Sequence, residues 1–218
     1  QAARFALFGD GALTTGITAA MVFCRSRPGL AAPDLQLLFS PTSFDMQRFG
    51  KLEREPGASI TICNSRPASR GTVLARSADP LALPEVSPNY LGSDYDLDML
   101  KAGIAEARRI LSRAPIARYV SHEIQPGTND PAALDDYIRT QGHSIYHPVG
   151  TCRMGTGPEA GVDPELRVYG VNGLRVVDAS VMPIITSGNT NAPTAMIGEK
   201  AASMILAARA GRTAAAAA

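Results

Sequence analysis

Short runs in the first third of the chain place apolar side chains at every second position, which is the period of a β-strand. Three such runs, residues 35–39, 60–63 and 72–75, are each bounded by Pro, Gly or Ser. A further short strand is expected at residues 20–24, within an otherwise loop-like segment of about 30 residues that carries two glycine turn signals. Because no helical pattern separates these runs, we expect one antiparallel sheet with one covered face.

The period changes to that of a helix in residues 94–113. Leu97, Leu100 and Ile104 fall on one stripe, acidic residues precede it, and arginines follow it. Such charges complement the helix dipole at both ends, and Ser93 stands at the expected N-cap. The pattern therefore predicts an amphipathic helix.

A second helix is predicted at residues 131–141, with Asp130 as N-cap, Pro131 in its first turn and Gly142 as its stop. Beyond it the chain changes to glycine-rich loops, a short apolar strand at 174–177 and a closing helix from about 192 to 208. We therefore place a domain boundary near residue 135, and the fold class predicted is α+β.

Composition narrows the classes of protein and partner. The formal charge of 21 − 20 = +1 gives no electrostatic preference for nucleic acid, and 45% hydrophobic with 19% charged residues is typical of a globular protein. No stretch approaches the ~18 consecutive apolar residues of a membrane span. Three scattered cysteines and the lack of a signal-peptide pattern favour a reducing compartment. We expect a cytoplasmic protein, at most peripheral to a membrane, with no transmembrane segment.

A histidine in a tightly turned loop is the first candidate for chemistry. His147 precedes Pro148, which keeps it out of a helix, and a loop histidine is a natural candidate for a general base. An imidazole that bonds a backbone carbonyl in a core loop is the alternative. His143, His147 and Cys152 are also spaced like metal ligands, but Pro148 keeps the two histidines off one helical face and no acid or second cysteine completes a zinc site. No metal is predicted.

Two further polar positions follow in sequence. Asp178 ends the apolar run 174–177, where such a residue either meets a sugar hydroxyl or caps a helix. Residues 187–194 then lead into the closing helix, whose first N–H groups favour negative charge. Ordinary N-capping by Asn191 is the alternative there.

Three blocks in this order resemble the C-terminal part of glucose-methanol-choline (GMC) flavoprotein oxidoreductases. They are HPVGTCRMG at 147–155, GLRVVDASVMP at 173–183 and GNTNAPTAMIGEKAA at 188–202. Residues 65–71, SRPASRG, are similar to a turn of that family's substrate-binding sheet. The chain is most similar in character to choline dehydrogenases and related bacterial alcohol dehydrogenases.

The resemblance implies a division of the fold. Residues 1–135 would form an antiparallel substrate-binding sheet with helices, and residues 136–218 the C-terminal part of an FAD-binding α/β domain with active-site loops. The family's Gly-x-Gly-x-x-Gly fingerprint is absent from the sequence. An N-terminal FAD-binding chain or segment of the same enzyme is therefore the expected partner, either cleaved from this one or separately encoded.

The resemblance also implies roles for single residues. An alcohol would lose its hydroxyl proton to His147 while a hydride passes to flavin N5, giving an aldehyde or ketone. Asn189 matches a partner position that is His or Asn among relatives, and an amide there holds the substrate oxygen without taking a proton.

Five more positions would contact the cofactor. Asp178 and Ala179 match positions near the ribityl chain and pyrophosphate, whereas Asn191, Ala192 and Thr194 match the helix start at the flavin N1–O2 edge.

Three functional classes remain open from the sequence. The first is an FAD-dependent alcohol dehydrogenase or oxidase. The second is a lyase of the hydroxynitrile lyase kind, which binds flavin on the same scaffold without using its redox chemistry. The third is a non-catalytic subunit or fragment, against which the presence of His147 and Asn189 weighs. The alcohol, and whether oxygen, a quinone or a cytochrome reoxidises the flavin, also stay open.

Overall fold

The computed structural model describes residues 2–11, 14, 16–44, 52–53 and 55–216, with the side chains of 212–216 excepted. The chain divides into two compact units. The sheet unit comprises Gln1–Ser69 and Leu91–His143, and the loop unit comprises Arg70–Tyr90 and Ser144–Ala218. Helices and antiparallel sheets are both present, which confirms the α+β class.

A three-stranded antiparallel sheet forms the base of the sheet unit. Its strands β1 (Ala20–Cys24), β2 (Leu35–Ser40) and β3 (Ser59–Asn64) lie in the order β1-β2-β3. Leu37 of β2 stands opposite Val22 and Ile62. The strands predicted at 20–24, 35–39 and 60–63 are therefore confirmed, and β2, at the centre, is the most buried of the three.

Two helices belong to this unit, α2 (Asp94–Leu111) and α3 (Pro131–Gln141), with a 3-10 helix (Ile116–Tyr119) between them. Leu97 and Ile104 of α2 form a buried cluster with Ile138 of α3. The Asp130 carboxylate accepts the Ala133 N–H, as its predicted capping role requires. Ser93 is the N-cap residue of α2, as predicted, but its side chain accepts none of the described N–H groups of the first turn.

Helix α2 approaches the sheet closely at Gly103. A Cβ placed there would lie 2.4 Å from Ile62 Cγ2 and 3.1 Å from Leu35 Cδ2. Both distances are shorter than ordinary van der Waals contact. A residue without a side chain therefore sets how closely the helix can lie on β2 and β3.

We predict that Gly103→Ala destabilises the protein by about 1–2 kcal/mol, because overpacking of ~1–3 kcal/mol outweighs the better helix propensity of alanine, ~1 kcal/mol. Chemical denaturation of the purified protein measures the change. Ile62→Ala is the matched partner, because it removes the Cγ2 atom that the new methyl group would meet. The double variant should lose less stability than the sum of the two single variants. Additive losses would contradict the close approach.

The first segment and the 72–75 run differ from expectation. Residues 2–8, expected as loop, form α1 (Ala2–Phe8), because its alanines and leucine favour a helix and the glycine turn signal acts only at its end. Strand β4 (Thr72–Leu74) does not join the three-stranded sheet. It pairs with β5 (Glu85–Ser87) in a separate two-stranded sheet of the loop unit. The expectation of one sheet was therefore wrong, since alternation identifies a strand but not its neighbour.

The loop unit is built around a second apolar cluster. Its buried members come from loops, from a 3-10 helix (Ala179–Val181) and from the closing helix α4 (Asn191–Ala216): Val162, Leu166, Val181, Met182, Ile197 and Ala201. The strand expected at 174–177 is reduced to one bridge between Arg167 and Arg175, and the Val176 N–H donates to the Leu166 carbonyl. Loop segments there supply the partners that strands supply elsewhere.

Residue 135 lies inside α3, and the sheet unit extends to His143. The division into residues 1–135 and 136–218 by function stays a prediction. Among the described helices, none is both long and apolar enough to span a bilayer.

Candidate active site

The loop that carries His147 is held at several backbone positions. Tyr146 has φ 62° and Gly150 has φ 87°, so the chain turns through the left-handed region on both sides of the histidine. The Tyr146 N–H donates to Ser144 Oγ at 2.9 Å. Farther along, the N–H of Cys152 donates to the Ser180 carbonyl at 3.1 Å. The loop is therefore tied to the 3-10 helix at 179–181.

Asp178 immediately precedes that 3-10 helix. Its carboxylate accepts the backbone N–H of Ser180 at 2.8 Å and the hydroxyl of the same serine. Of the two interpretations left open for Asp178, capping is the one that this geometry satisfies. Ala179 is the first residue of the 3-10 helix and is half-buried. Contacts of both residues with a cofactor stay a proposal.

The start of α4 differs from the sequence interpretation by one residue. The helix begins at Asn191, so Thr190 occupies the cap position and capping by Asn191 is wrong. The N–H and hydroxyl of Thr194 both donate to the Thr190 carbonyl, at 3.0 and 2.6 Å. Pro193 has no N–H. Helix geometry leaves the N–H groups of Asn191 and Ala192 without a carbonyl partner inside the helix, so both can donate to a ligand.

The imidazole of His147 joins the first loop to the residues before α4. Its Nε2 lies 2.9 Å from Asn189 Nδ2, and its Nδ1 lies 3.0 Å from Thr190 Oγ1. Asn189 and Thr190 lie 42 and 43 positions after His147 in the sequence. His147 is half-buried, Asn189 is exposed and Thr190 is buried. The fold thus brings together the two residues expected to be catalytic and sets both beside the first turn of α4.

Thr190 is the residue of this cluster that sequence reasoning missed. It stands directly between Asn189 and Asn191 in the third block, but neighbouring residues in an extended segment usually face opposite sides. In the structure both Asn189 and Thr190 reach the same imidazole, one at each ring nitrogen. A hydroxyl residue just before a helix is the only signal that the sequence offered, and it points to capping instead.

This arrangement combines a proton acceptor with a site for negative charge. An imidazole nitrogen with a free lone pair can accept a proton, and the positive end of α4 with its two N–H donors favours an anion. Ala192 is exposed, and its side chain is only a methyl group. Among the described residues, no group of three His, Cys, Asp or Glu side chains could hold a metal ion.

A family model and the curated relatives of this chain indicate the same protein family. The family model described as GMC oxidoreductase matches residues 67–198, more than half of the chain. The chain is 42% identical over 199 residues to an alcohol dehydrogenase [acceptor] of Pseudomonas putida, covering 90% of this chain and 36% of that protein. It is 40% identical over 185 residues to an oxygen-dependent choline dehydrogenase of Klebsiella pneumoniae (strain 342), covering 84% and 33%.

Solved structures agree with this family. Pyridoxine 4-oxidase from Mesorbium loti superposes with a TM-score of 0.74 at 29% identity, covering 85% of this chain and 37% of that one. An FAD-dependent oxidoreductase from Chaetomium thermophilum superposes with a TM-score of 0.64 at 27% identity, covering 80% and 28%.

The chain spans only about a third of the length of the two curated relatives. Its own blocks at 147–155, 173–183 and 188–202 all lie within or overlap the matched range, and they form the cluster described above. The chain therefore belongs to the GMC oxidoreductase family and corresponds to its C-terminal region.

Proposed function

We propose that this chain is the C-terminal part of an FAD-dependent enzyme that oxidises an alcohol CH–OH group to an aldehyde or ketone. The observation that carries the proposal is the contact between His147 and Asn189 beside the first turn of α4. Relatives named alcohol dehydrogenase and choline dehydrogenase support an alcohol as the substrate class.

The proton acceptor of the proposed reaction is His147. Its Nε2 is bonded to the exposed Asn189 amide, so an alcohol that takes the place of the amide at this nitrogen can donate its hydroxyl hydrogen to it. Asn189 then donates an N–H to the alcohol oxygen and steadies it as the proton leaves. An amide neither accepts nor delivers a proton at neutral pH, so the base role falls to the imidazole alone.

The residues at the start of α4 fit the proposed cofactor. The N–H groups of Asn191 and Ala192 are free of intrahelical partners by geometry, and the helix dipole adds positive potential there. Bound FAD would supply the acceptor for the hydride that leaves the carbinol carbon. Asn191 and Ala192 would hold the edge of the flavin that becomes negative, and Thr194 would act through its position in the first turn, since its own N–H is already bonded to Thr190.

The remaining contacts to FAD would come from an N-terminal segment of the same enzyme. This chain covers about a third of its relatives, and the dinucleotide fingerprint is missing from it. In our proposal Asp178 and Ala179 complete the cofactor site from this side. The full protein would hold the flavin between the two parts.

Anaerobic addition of alcohol to the whole holoenzyme tests the proposal. Choline and a primary aliphatic alcohol are suitable first substrates, because the two relatives are named choline dehydrogenase and alcohol dehydrogenase. We expect the absorbance of the oxidised flavin to bleach as product aldehyde forms in equal amount. A flavin that stays oxidised with both alcohols, while a cyanohydrin is cleaved, would contradict the proposal and identify a lyase.

The Asn189 amide should contribute one hydrogen bond and no proton transfer. We predict that Asn189→Ala slows anaerobic flavin reduction by about 10-fold, the equivalent of one lost hydrogen bond of ~1–1.5 kcal/mol. Stopped-flow absorbance at saturating alcohol measures this rate.

Asn189→His is the matched control, because imidazole again offers an N–H donor at this position. It should recover most of the lost rate. A loss for Asn189→Ala as large as that caused by removal of His147 would contradict the donor role of the amide.

A further inference from the structure

The Thr190 hydroxyl forms its hydrogen bond with the His147 side chain. Its Oγ1 lies 3.0 Å from His147 Nδ1, and the residue is only 7% exposed. Two consecutive residues thus bond to the two nitrogens of one imidazole, Asn189 at Nε2 and Thr190 at Nδ1. The ring is fixed on both sides.

The two bonds select one tautomer of the imidazole. The Asn189 Nδ2 atom carries only hydrogens, so Nε2 of the ring must accept from it. A neutral imidazole holds one proton, which then belongs on Nδ1 and is donated to Thr190 Oγ1. In this tautomer the lone pair of Nε2 accepts from the Asn189 amide, and it would accept the alcohol hydroxyl once the amide bonds the alcohol oxygen instead.

We infer that Thr190 is a positioning residue for His147, whose hydroxyl accepts the Nδ1–H bond and keeps the Nε2 lone pair available to the alcohol proton. The inference rests on the proposed function. When Nε2 takes the proton, the imidazole becomes positively charged, and the bond from Nδ1–H to Thr190 Oγ1 strengthens because its donor is now charged. Thr190 should therefore act mainly on the rate of the chemical step and little on alcohol binding.

The hydroxyl is not used to cap α4. The carbonyl of Thr190, rather than its side chain, receives the N–H and hydroxyl of Thr194. A valine at position 190 keeps the β-branched shape and this carbonyl while it removes the hydroxyl. The Thr190→Val variant thus separates the contact with the imidazole from support of the helix.

The test compares Thr190→Val and Thr190→Ser in the full-length holoenzyme by anaerobic stopped-flow flavin reduction. Loss of the acceptor from a buried N–H should slow the limiting rate about 10- to 100-fold. The apparent dissociation constant of the alcohol should change by less than about 3-fold. Thr190→Ser retains the hydroxyl and should recover the rate to within about 3-fold of the unaltered enzyme.

Three results would overturn the inference. Thr190→Val could reduce its flavin at the original rate. Thr190→Ser could be as slow as Thr190→Val, so that the hydroxyl is irrelevant. The slow Thr190→Val variant could lose bound flavin or thermal stability to the same extent as it loses rate. Thr190 would then support the fold and would not position the imidazole.

A double variant separates this inference from the proposed function. If Thr190 acts through the imidazole, Thr190→Val adds no further loss to His147→Ala. A further loss on that background would overturn the inference and leave His147 as the base. Full activity of His147→Ala would instead remove the proposed function, whatever Thr190→Val does.

Discussion

Replacing His147 by alanine should lower the rate of anaerobic flavin reduction about 10²- to 10⁴-fold in the whole enzyme, the range expected for loss of a general base. The imidazole bonds both Asn189 and Thr190, and neither can accept a proton in its place at neutral pH. Stopped-flow absorbance at saturating alcohol measures the rate, and retained flavin absorbance shows that the variant still binds its cofactor.

His143→Ala is the matched control for this variant. His143 lies four residues earlier in the same segment and is exposed. The same change there should leave the reduction rate within about 2-fold, as expected for a surface position. It also tests the metal-ligand interpretation, which needed both histidines. Equal losses in the two variants, or a His147→Ala enzyme with the original rate, would remove His147 from the mechanism.

The second large effect concerns Asp96 of α2, a carboxylate that is only 3% exposed. It accepts the Asn64 side-chain N–H at 2.9 Å, the Ala68 N–H at 2.8 Å and the Ser69 N–H at 2.9 Å, and it also bonds the Ser69 hydroxyl. One side chain thus holds the end of β3 and the turn after it against the start of α2.

We predict that Asp96→Ala lowers the free energy of unfolding by about 3–5 kcal/mol, because four hydrogen-bond donors, all bonded to one buried carboxylate, lose their charged acceptor at once. Urea denaturation of the purified protein measures the loss. Asp98→Ala is the control, since Asp98 lies on the same helix with its side chain 73% exposed and pairs with Lys101 at 3.4 Å. That surface pair should contribute less than about 1 kcal/mol. Similar losses in both variants would contradict the role of Asp96.

The pH dependence of the Asp96 effect has a definite sign. Burial raises the pKa of this carboxyl, but the bonds from Ser69, Ala68 and Asn64 together outweigh burial, and the pKa is lowered. A lowered pKa in the folded state gives stability that is present above the unfolded value of about 3.9 and is lost as pH falls through the folded value. The difference between the original protein and Asp96→Ala should therefore be constant near neutral pH and shrink below about pH 4.

The elements that could be predicted are those with a local signal. The stripe of Leu97, Leu100 and Ile104 and the acids before it identify α2, and the Asp130-Pro131 pair identifies the start of α3. The pairing of β4 could not be predicted, because its alternation resembles that of β2 and β3 and partner choice depends on contacts distant in sequence.

The candidate site was predictable in its residue types and less so in its contacts. His147 and Asn189 could be found because they stand in distinctive blocks, yet their direct contact depends on the turns at Tyr146 and Gly150, on either side of His147. Thr190 could not be found, because its side-chain direction follows from backbone dihedrals that a sequence does not state. The helix start at Asn191 was displaced by one residue, within the usual uncertainty of helix ends.

The crystal structure of the whole enzyme with FAD is the most direct test of the central claim, that His147, Asn189 and the start of α4 form one side of a flavin site. We expect His147 Nε2 and the Asn189 amide to face the same side of the isoalloxazine ring, within hydrogen-bond reach of a bound alcohol or its analogue, and the N–H groups of Asn191 and Ala192 to meet the ring's pyrimidine edge. A flavin ring bound away from this cluster, or an imidazole turned from the ring with another side chain in its place, would contradict the account.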